Sequence, residues 1–293
     1  MTGQKISIVT GANNGIGFET AIGMAAAGFT VILACRNEAK ALAAKEKIRA
    51  RLPQAQLDLI LLDLSDFDSV RVFADAFGKK YDHLDVLINN AGVLDYSGRT
   101  NNAGIELQFA TNHLGHFLLT SLLLPLMPDR PASRIVSLSS VAHKAGKIHF
   151  DDIQCQGQSR KGAAYEQSKL ACLMFADELS RRLRKSGAKI SSLCAHPGGS
   201  DSGLFEDMAR LHYYFLKALG PFITHSNAQA AKPSLHAALA ETAQNGDYVG
   251  PQGFLELKGP VGPAVRTDYA QDEKIAADLW ALSERMIGQP FKR

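Results

Sequence analysis

The chain has 293 residues, of which 46% are hydrophobic and 21% are charged, and its formal net charge is +3. This is an ordinary globular composition with enough apolar material for one α/β domain or two smaller ones. The small net charge gives no indication of a nucleic-acid or acidic partner. Local motifs, rather than a charged surface, must therefore indicate the function.

The four cysteines are spaced irregularly, and none lies in a Cys-x-x-Cys pair. This spacing predicts neither a disulfide framework nor a zinc site, and it favours a reducing compartment. Residues 1–5 lead directly into an apolar run that is too short for a signal peptide. The longest apolar stretch, 117–127, contains Pro125 and is shorter than the roughly 20 residues that a membrane span needs. We therefore expect a cytoplasmic protein with no metal ion and no membrane span.

Short apolar runs alternate with longer amphipathic segments along the chain. Runs that are apolar on both faces are typical of strands buried between helices, so the alternation predicts an α/β fold with a parallel sheet. Because crossover connections are right-handed, we expect a doubly wound sheet of about seven strands, with helices on both faces, in one domain over 1–293. The predicted strands are 6–10, 30–35, 57–62, 86–89, 134–139, 190–195 and 253–257, and the predicted helices are 15–27, 38–51, 65–81, 104–126 and 165–186.

Three glycines follow the first predicted strand and open a helix, in the run Thr10-Gly11-Ala12-Asn13-Asn14-Gly15-Ile16-Gly17. Gly11 permits a sharp turn, Gly15 lets the backbone approach a phosphate, and Gly17 lets the helix and strand pack closely. The N–H groups at the start of the helix then face the anion. This strand–turn–helix context is typical of a Rossmann-type, dinucleotide-binding sheet, and an ordinary glycine-rich turn is the alternative.

The second predicted strand ends at Arg36-Asn37, and Lys40 follows one turn later. NAD-binding versions of such a sheet normally carry a carboxylate here, which holds the ribose 2′-hydroxyl. A guanidinium suits a 2′-phosphate, so we predict NADP(H) as the cofactor, with a solvated surface arginine as the alternative. After the third strand, Asp63-Leu64 is expected to contact the adenine, unless Asp63 only caps the next helix.

Tyr165 and Lys169 lie four residues apart at the start of the helix after the fifth strand, so they share one helical face. A free phenol titrates near ~10, too high for easy proton exchange at neutral pH, and a cation one turn away stabilises the phenolate. Such a pair suits a reaction in which a hydroxyl proton moves while hydride is transferred at carbon. Taken alone, however, this spacing is a common accident.

Further motifs in a fixed order make the whole chain resemble the short-chain dehydrogenase/reductase family. They are Thr10-Gly-Ala-Asn-Asn-Gly-Ile-Gly17, Asp63-Leu64, Asn89-Asn90-Ala91-Gly92, Asn112, Ser139-Ser140, Tyr165-x-x-x-Lys169 and His196-Pro197-Gly198. Within the family, the chain resembles the retinol dehydrogenase and WW-domain oxidoreductase branch and is also similar to protochlorophyllide reductase. The stretches that carry this similarity include Ala34-Cys-Arg-Asn37, Thr111-Asn-His-Leu-Gly-His-Phe117 and Ser139-Ser-Val-Ala-His143.

The resemblance implies a role for each matching residue. Tyr165 is the expected acid/base, and Lys169 is expected to stabilise its phenolate and to bind the nicotinamide ribose. Asn112 is expected to hold a water in a proton relay that reaches Lys169. Ser140 is expected to orient the substrate oxygen; Ser139 is the alternative, and the family pattern favours the residue just beyond the strand.

The same resemblance places the cofactor contacts at the carboxyl ends of the strands, where an open α/β sheet binds its ligand. The expected contacts are Gly11, Asn13, Asn14, Gly15, Ile16, Gly17, Arg36, Asn37, Lys40, Asp63, Leu64, Asn90, Ala91, Gly92, Tyr165, Lys169, Pro197 and Gly198. One stretch departs from the family pattern. After Pro197-Gly198 the family often has a threonine or serine that contacts the carboxamide, whereas here 199–202 reads Gly-Ser-Asp-Ser, so that contact is not assigned.

We therefore predict an NADP(H)-dependent oxidoreductase that transfers hydride between the nicotinamide and a carbonyl or alcohol carbon. An NADPH-sensing binding protein without turnover, and a reductase of a carbon–carbon double bond, are the alternatives. Residues 204–232 are interpreted as an insertion whose aromatic part, 205–222, forms a lid, which favours a lipophilic substrate. Packing of these aromatics against the core, or contact with a membrane surface, would also explain them.

The predicted helices 104–126 and 165–186 each carry a wide apolar face. The resemblance makes these faces a candidate homodimer interface, and burial within the chain is the alternative. His113 and His116 lie three residues apart on the first of these helices. Without an acidic partner they predict helix packing rather than a metal site.

Overall fold

A computed structural model describes residues 4–157, 162–199 and 226–292. Within these ranges, one sheet has the strand order β3-β2-β1-β4-β5-β6-β7-β8. The strands are β1 (Lys5–Thr10), β2 (Phe29–Cys35), β3 (Leu57–Leu61), β4 (Val86–Asn89), β5 (Arg134–Leu138), β6 (Ser191–Ala195), β7 (Tyr248–Pro251) and β8 (Val261–Pro263). Neighbours from β3 through β7 pair in parallel, and β8 pairs antiparallel with β7. The predicted doubly wound α/β fold is confirmed, with an antiparallel edge strand in addition.

The helices connect these strands on both faces of the sheet. The α-helices are α1 (Gly15–Ala26), α2 (Glu38–Arg51), α3 (Phe67–Lys80), α4 (Gly115–Leu123), α5 (Ala163–Lys185), α6 (Asn227–Ala230), α7 (Lys232–Leu239) and α8 (Glu273–Ile287). A π-helix spans Phe109–Leu114, and 3₁₀ turns span Leu124–Leu126, Val141–Ala145, Phe254–Glu256 and Tyr269–Gln271. The side chains of Asn14, Asn37 and Asp66 accept backbone N–H bonds at the starts of α1, α2 and α3, as residues that begin helices commonly do.

Alternation of side chains along β1 places a hydrophobic core on each face of the sheet. Ile8 belongs to the core that contains Phe117 of α4, and Val9 belongs to the core that contains Met24 of α1. All seven residues of β2 are buried, as expected for a strand that is covered by helices on both sides. Helices on both faces therefore hold the carboxyl ends of the central strands in fixed positions along one edge.

The predicted helix over 104–126 is less regular than expected. Its first part lies outside any helix, because Gly104 adopts the left-handed region at φ 74°. The π-helix then precedes α4, and a 3₁₀ turn that contains Pro125 ends the segment, since proline has no N–H to continue an α-helix. Of the nine residues of α4, eight are buried within this one chain, and the predicted homodimer interface on this segment stays a prediction.

The prediction of a strand over 253–257 is wrong. Phe254 and Leu255 are 83% and 65% exposed, so this apolar run is not a buried strand. Leu255 and Glu256 adopt the left-handed region, at φ 51° and 57°, which forms a tight turn. The seventh strand is instead β7, ahead of this turn, and the turn connects it to β8.

Most of the predicted insertion lies outside the described residues. The candidate lid over 205–222 belongs entirely to the part that the structure does not describe. The end of the insertion is helical: α6 and the start of α7 lie within 226–232, and both helices pack against α1. Among the described residues, no helix is both long and apolar enough to cross a membrane.

Candidate active site

The glycine turn after β1 is shaped to receive an anion. Gly11 and Gly15 adopt the left-handed region, at φ 68° and 58°, where glycine is favoured. A Cβ at Gly17 would collide with the carbonyl of Gly11 and the side-chain amide of Asn90, so only glycine allows this close approach. The first turn of α1 has no acidic side chain, and Asn14 caps it by accepting from the Gly15 N–H at 2.8 Å. The N–H groups and the helix dipole therefore favour a phosphate here.

Thr10 ties the glycine turn to the end of β4. Its hydroxyl oxygen accepts from the backbone N–H groups of Asn90 and Ala91, each at 2.9 Å. In return, the side-chain amide of Asn90 donates to the Thr10 carbonyl at 2.7 Å. Two of the predicted cofactor contacts, Asn90 and Ala91, are thus held against the glycine turn by three hydrogen bonds.

The ends of β2 and β3 bring a second group of predicted residues together. Arg36 is 70% exposed, and its guanidinium lies 3.8 Å from the carboxylate of Asp63. Asn37 caps α2 by accepting from the Lys40 N–H at 2.9 Å. The Asp63 carboxylate accepts from the N–H and hydroxyl of Ser65 and does not cap a helix.

The alternative interpretation, that Asp63 caps the helix after Leu64, is therefore wrong, because Asp66 caps α3. Leu64 is buried, and the backbone of Gly115 lies so close to its carbonyl that a Cβ on this glycine would collide with it. Leu64 thus contributes to packing between the end of β3 and α4.

Asn112 fastens the loop after β4 to α5. Its side-chain oxygen accepts from the Val93 N–H at 2.8 Å, and its amide donates to the Val93 carbonyl at 3.0 Å. The same amide donates to the Ser168 hydroxyl at 2.9 Å. Asn112 lies in the π-helix, a conformation that is frequent at functional sites. Its backbone carbonyl accepts from His116 and Cys172, so both halves of the residue are engaged.

Tyr165 and Lys169 lie on α5 beside these residues. The Lys169 ammonium is 5.9 Å from the centre of the Tyr165 ring, and it donates to the Leu138 carbonyl at 3.2 Å. Lys169 is buried, whereas Tyr165 is partly exposed. A Cβ at Gly92 would lie 3.2 Å from the ammonium, so the backbone after β4 approaches the lysine closely. The predicted pair is therefore brought together with Gly92 at the ends of β4 and β5.

The two serines after β5 have different environments. Ser139 is 2% exposed, and its hydroxyl donates to the Lys169 carbonyl at 2.8 Å. Ser140 is partly exposed, and its hydroxyl oxygen accepts from the Ala142 N–H at 3.2 Å, which leaves its hydrogen free to donate. Ser139 is thus used within the fold, and Ser140 is the serine that remains accessible.

The end of β6 turns sharply at Gly198, where φ is 76° and a Cβ would collide with the Leu257 carbonyl. The Gly198 N–H donates to His196 at 3.2 Å. Burial lowers the pKa of His196 to about 4, so the ring is neutral at neutral pH. The stretch 200–202, where the family pattern breaks, lies outside the described residues.

Comparison with known proteins agrees with this geometry. The family model for short chain dehydrogenases matches residues 5–210. This chain belongs to the short chain dehydrogenase family. Retinol dehydrogenase 13 of Homo sapiens is 41% identical, over 97% of this chain and 85% of its own length. Retinol dehydrogenase 12 of Mus musculus is 39% identical, over 97% and 86%.

Two solved structures extend the comparison. A crystal structure of an uncharacterized protein from Mycobacterium Paratuberculosis is 38% identical, with a TM-score of 0.80, over 99% of this chain and 96% of its own. A short chain dehydrogenase from Shigella flexneri complexed with NADP is 25% identical, with a TM-score of 0.64, over 83% and 95%. The predicted membership of this oxidoreductase family and the similarity to retinol dehydrogenases are confirmed.

Two residues of this short chain dehydrogenase stand within the site although the sequence assigned them no role there. The sequence places Thr10 only within the glycine motif, and the spacing of His116 predicts helix packing. The ring of His116 lies 2.9 Å from the Thr10 hydroxyl and 2.9 Å from the Asn112 carbonyl. Because Thr10 and His116 are 106 positions apart, no local pattern could have linked them. Among the described residues, no three His, Cys, Asp or Glu side chains are grouped to hold a metal ion.

Proposed function

We propose that this short chain dehydrogenase transfers hydride between NADP(H) and the carbonyl or alcohol carbon of a lipophilic small molecule, with Tyr165 as the acid/base. The observation that carries the proposal is the buried Lys169 ammonium, 5.9 Å from the Tyr165 ring at the end of β5. Ser140 and Asn112 flank this pair on neighbouring elements. The relatives' name, retinol dehydrogenase, designates an alcohol of lipophilic character and supports the substrate class.

The residues present fit a nicotinamide dinucleotide. The left-handed glycines and the uncharged first turn of α1 leave room and N–H donors for the pyrophosphate. The backbone at Asn90, Ala91 and Gly92 lies beside that turn and approaches Lys169. When bound, the cofactor would supply or accept the hydride.

The chain's own residues would then handle the proton. In the reducing direction, the Tyr165 hydroxyl donates its proton to the carbonyl oxygen of the substrate as the adjacent carbon gains hydride. The Ser140 hydroxyl donates a hydrogen bond to the same oxygen and orients it. The Lys169 ammonium stabilises the phenolate that forms, and a water held by the second lone pair of the Asn112 side-chain oxygen returns a proton to that phenolate. In the oxidising direction each of these transfers is reversed.

Arg36 supports NADP(H) rather than NAD(H). It stands at the end of β2, where it presents an exposed guanidinium that a 2′-phosphate would pair with. Asp63 lies 3.8 Å from it and keeps it near the cleft, while Lys40 adds a second positive charge on α2. The Shigella flexneri relative, whose structure holds NADP, supports the same choice.

The test is a panel of lipophilic ketones, aldehydes and secondary alcohols assayed with NADPH or NADP⁺, and in parallel with the NAD forms. Tyr165→Phe is expected to lower kcat by about 10³-fold or more while NADPH still binds. Tyr96→Phe is the matched control. Burial and then the charge of Tyr165 raise the pKa of Tyr96, whose phenol belongs to the loop after β4 and not to α5.

Full activity in Tyr165→Phe would overturn the assignment of the acid/base. NADPH binding without turnover of any compound in the panel would favour a sensing protein. Turnover of conjugated alkenes alone would favour reduction of a carbon–carbon double bond.

We also propose that residues 1–293 form one domain, that 204–232 cover the substrate, and that two copies pair. The single sheet that contains every described strand supports the first of these statements.

A further inference from the structure

His116 on α4 is a buried histidine with a partner at each ring nitrogen. It is 4% exposed. Its Nδ1 lies 2.9 Å from the Asn112 carbonyl, and its Nε2 lies 2.9 Å from the Thr10 hydroxyl. A carbonyl only accepts, so Nδ1 carries the hydrogen and donates it to Asn112. In the neutral ring Nε2 is then an acceptor, and the Thr10 hydroxyl donates to it.

This assignment fixes the orientation of the Thr10 hydroxyl. Its single hydrogen points to His116, and the other available acceptor, the Ile88 carbonyl, lies farther away at 3.4 Å. The oxygen lone pairs are consequently left for the N–H groups of Asn90 and Ala91. The histidine ring therefore acts on the backbone after β4 through one intermediate hydroxyl.

The ring is also kept uncharged. Burial and the nearby charge of Lys169 lower the pKa of His116 to about 4. A neutral ring donates at one nitrogen and accepts at the other, whereas a protonated ring would donate at both and could not accept from Thr10. The hydrogen bonds of His116 to Asn112 and Thr10 thus require the neutral ring, which burial and the nearby Lys169 favour.

We propose that His116 is a positioning residue that joins the two halves of the active site. Through Thr10 it holds the backbone that receives the cofactor, and through Nδ1 it holds the backbone carbonyl of Asn112. The proposal rests on the proposed function. It differs from helix packing, since packing would require the shape of the ring but neither of its nitrogens.

Two substitutions separate the two nitrogens. His116→Gln retains an acceptor near the position of Nε2 and loses the donor to Asn112. We expect kcat to fall about tenfold while the Kd of NADPH stays near the wild-type value, because small displacements of reacting groups are costly. His116→Asn retains a donor near the position of Nδ1 and loses the acceptor. We expect the Kd of NADPH to rise about tenfold with kcat largely preserved.

His113 offers the matched control. It lies one turn away, is equally buried, and has one hydrogen bond, at 2.7 Å to the Ser283 hydroxyl of α8. His113→Gln and His113→Asn should change neither the Kd of NADPH nor kcat. If the His116 variants do not fold, Thr10→Val removes the same hydroxyl link with the ring in place and should reproduce the rise in Kd. Thr10→Ser keeps the hydroxyl, so its Kd for NADPH should equal the wild-type value.

The outcomes separate this proposal from the proposed function. Wild-type protein that neither binds NADPH nor turns over a substrate would refute the function itself. Active wild-type protein in which the two His116 variants alter Kd and kcat together, or behave like the His113 variants, would refute the positioning role alone. An unchanged Kd in Thr10→Val would also overturn it.

Discussion

The two ends of the proposed cofactor cleft are built differently. At the reaction end, Asn112 and Lys169 are buried, and Asn112 alone makes three side-chain hydrogen bonds. At the other end, Arg36 is 70% exposed and has one ionic contact at 3.8 Å. The first arrangement fixes atoms in place at the cost of coupling them to the stability of the fold. In the second arrangement, the charged side chain can be substituted with little effect on the stability of the fold.

The largest effect on the free energy of unfolding is expected from Asn112→Ala. The substitution leaves the N–H and carbonyl of the partly buried Val93 without their side-chain partner, and an unsatisfied group costs about 1–3 kcal/mol when it is shielded from water. We expect the free energy of unfolding to fall by roughly 3 kcal/mol and kcat/KM by about 10²-fold or more. Urea unfolding and steady-state kinetics measure the two. A change in activity without any change in stability would show that the reaction end is not coupled to the fold.

Thr10→Val should have the next largest effect. It preserves the shape of the side chain but removes the hydroxyl that accepts from Asn90 and Ala91. We expect a loss of about 2 kcal/mol in the free energy of unfolding, since these N–H groups are left without that acceptor. Thr10→Ser, which keeps the hydroxyl, is the control in the same urea titration. Equal stability of the two variants would contradict the role assigned to the hydroxyl.

Arg36→Ser tests the exposed end. We expect the preference for NADPH over NADH, measured as the ratio of kcat/KM values, to fall about tenfold or more, because a charge-assisted contact with the 2′-phosphate is lost. The free energy of unfolding should stay within about 0.5 kcal/mol of the wild-type value, as for most surface substitutions. Arg49→Ser, which removes an exposed arginine on α2 away from the end of β2, is the control. A large loss of stability in Arg36→Ser would abolish the contrast between the two ends.

The smallest effect concerns acid stability. Burial lowers the pKa of His113 to about 3, below the value near 6.5 of an unfolded histidine. Between these values the unfolded chain binds the proton and the folded chain does not, so stability is lost as pH falls below about 6.5. At pH 5.5 this one group should cost about 1.4 kcal/mol relative to pH 7.5 or above.

His113→Phe should remove that part of the pH dependence. The measurement compares urea unfolding of the wild-type protein and the variant at pH 7.5 and pH 5.5. The difference in stability between the two pH values should be smaller in the variant by about 1.4 kcal/mol. Parallel pH dependence in the two proteins would show that the buried ring is not the source.

The sequence predicted those parts of the molecule that depend on local patterns. The glycine turn, the Tyr165–Lys169 spacing and the buried strands each follow from residues that are close in the chain, and the fold is as expected. The π-helix around Asn112 was not predictable, because one extra residue in a turn leaves the apolar pattern almost unchanged. The apolar run that contains Phe254 and Leu255 predicted a strand, because composition does not reveal whether such a run faces the core or the solvent.

Long-range contacts were the second limit. His116 has the spacing of a packing residue, and its bond to Thr10 exists only because β1 and α4 meet in the folded chain. From the sequence, the choice of Ser140 over Ser139 as the substrate-orienting residue rests on the family pattern and not on a physical difference between the two. The structure supplies the physical difference, which is the hydrogen bond from Ser139 to the Lys169 carbonyl.

The short strand β8 has a consequence for how copies of this chain can meet. It occupies the side of β7 that faces away from β6, and Pro263 at its end has no N–H to donate to a further strand. This short edge strand is therefore poorly suited to pair with a strand of a neighbouring molecule. Side chains would then make the larger share of a contact across that border, so surface shape and chemistry would matter more there than backbone pairing.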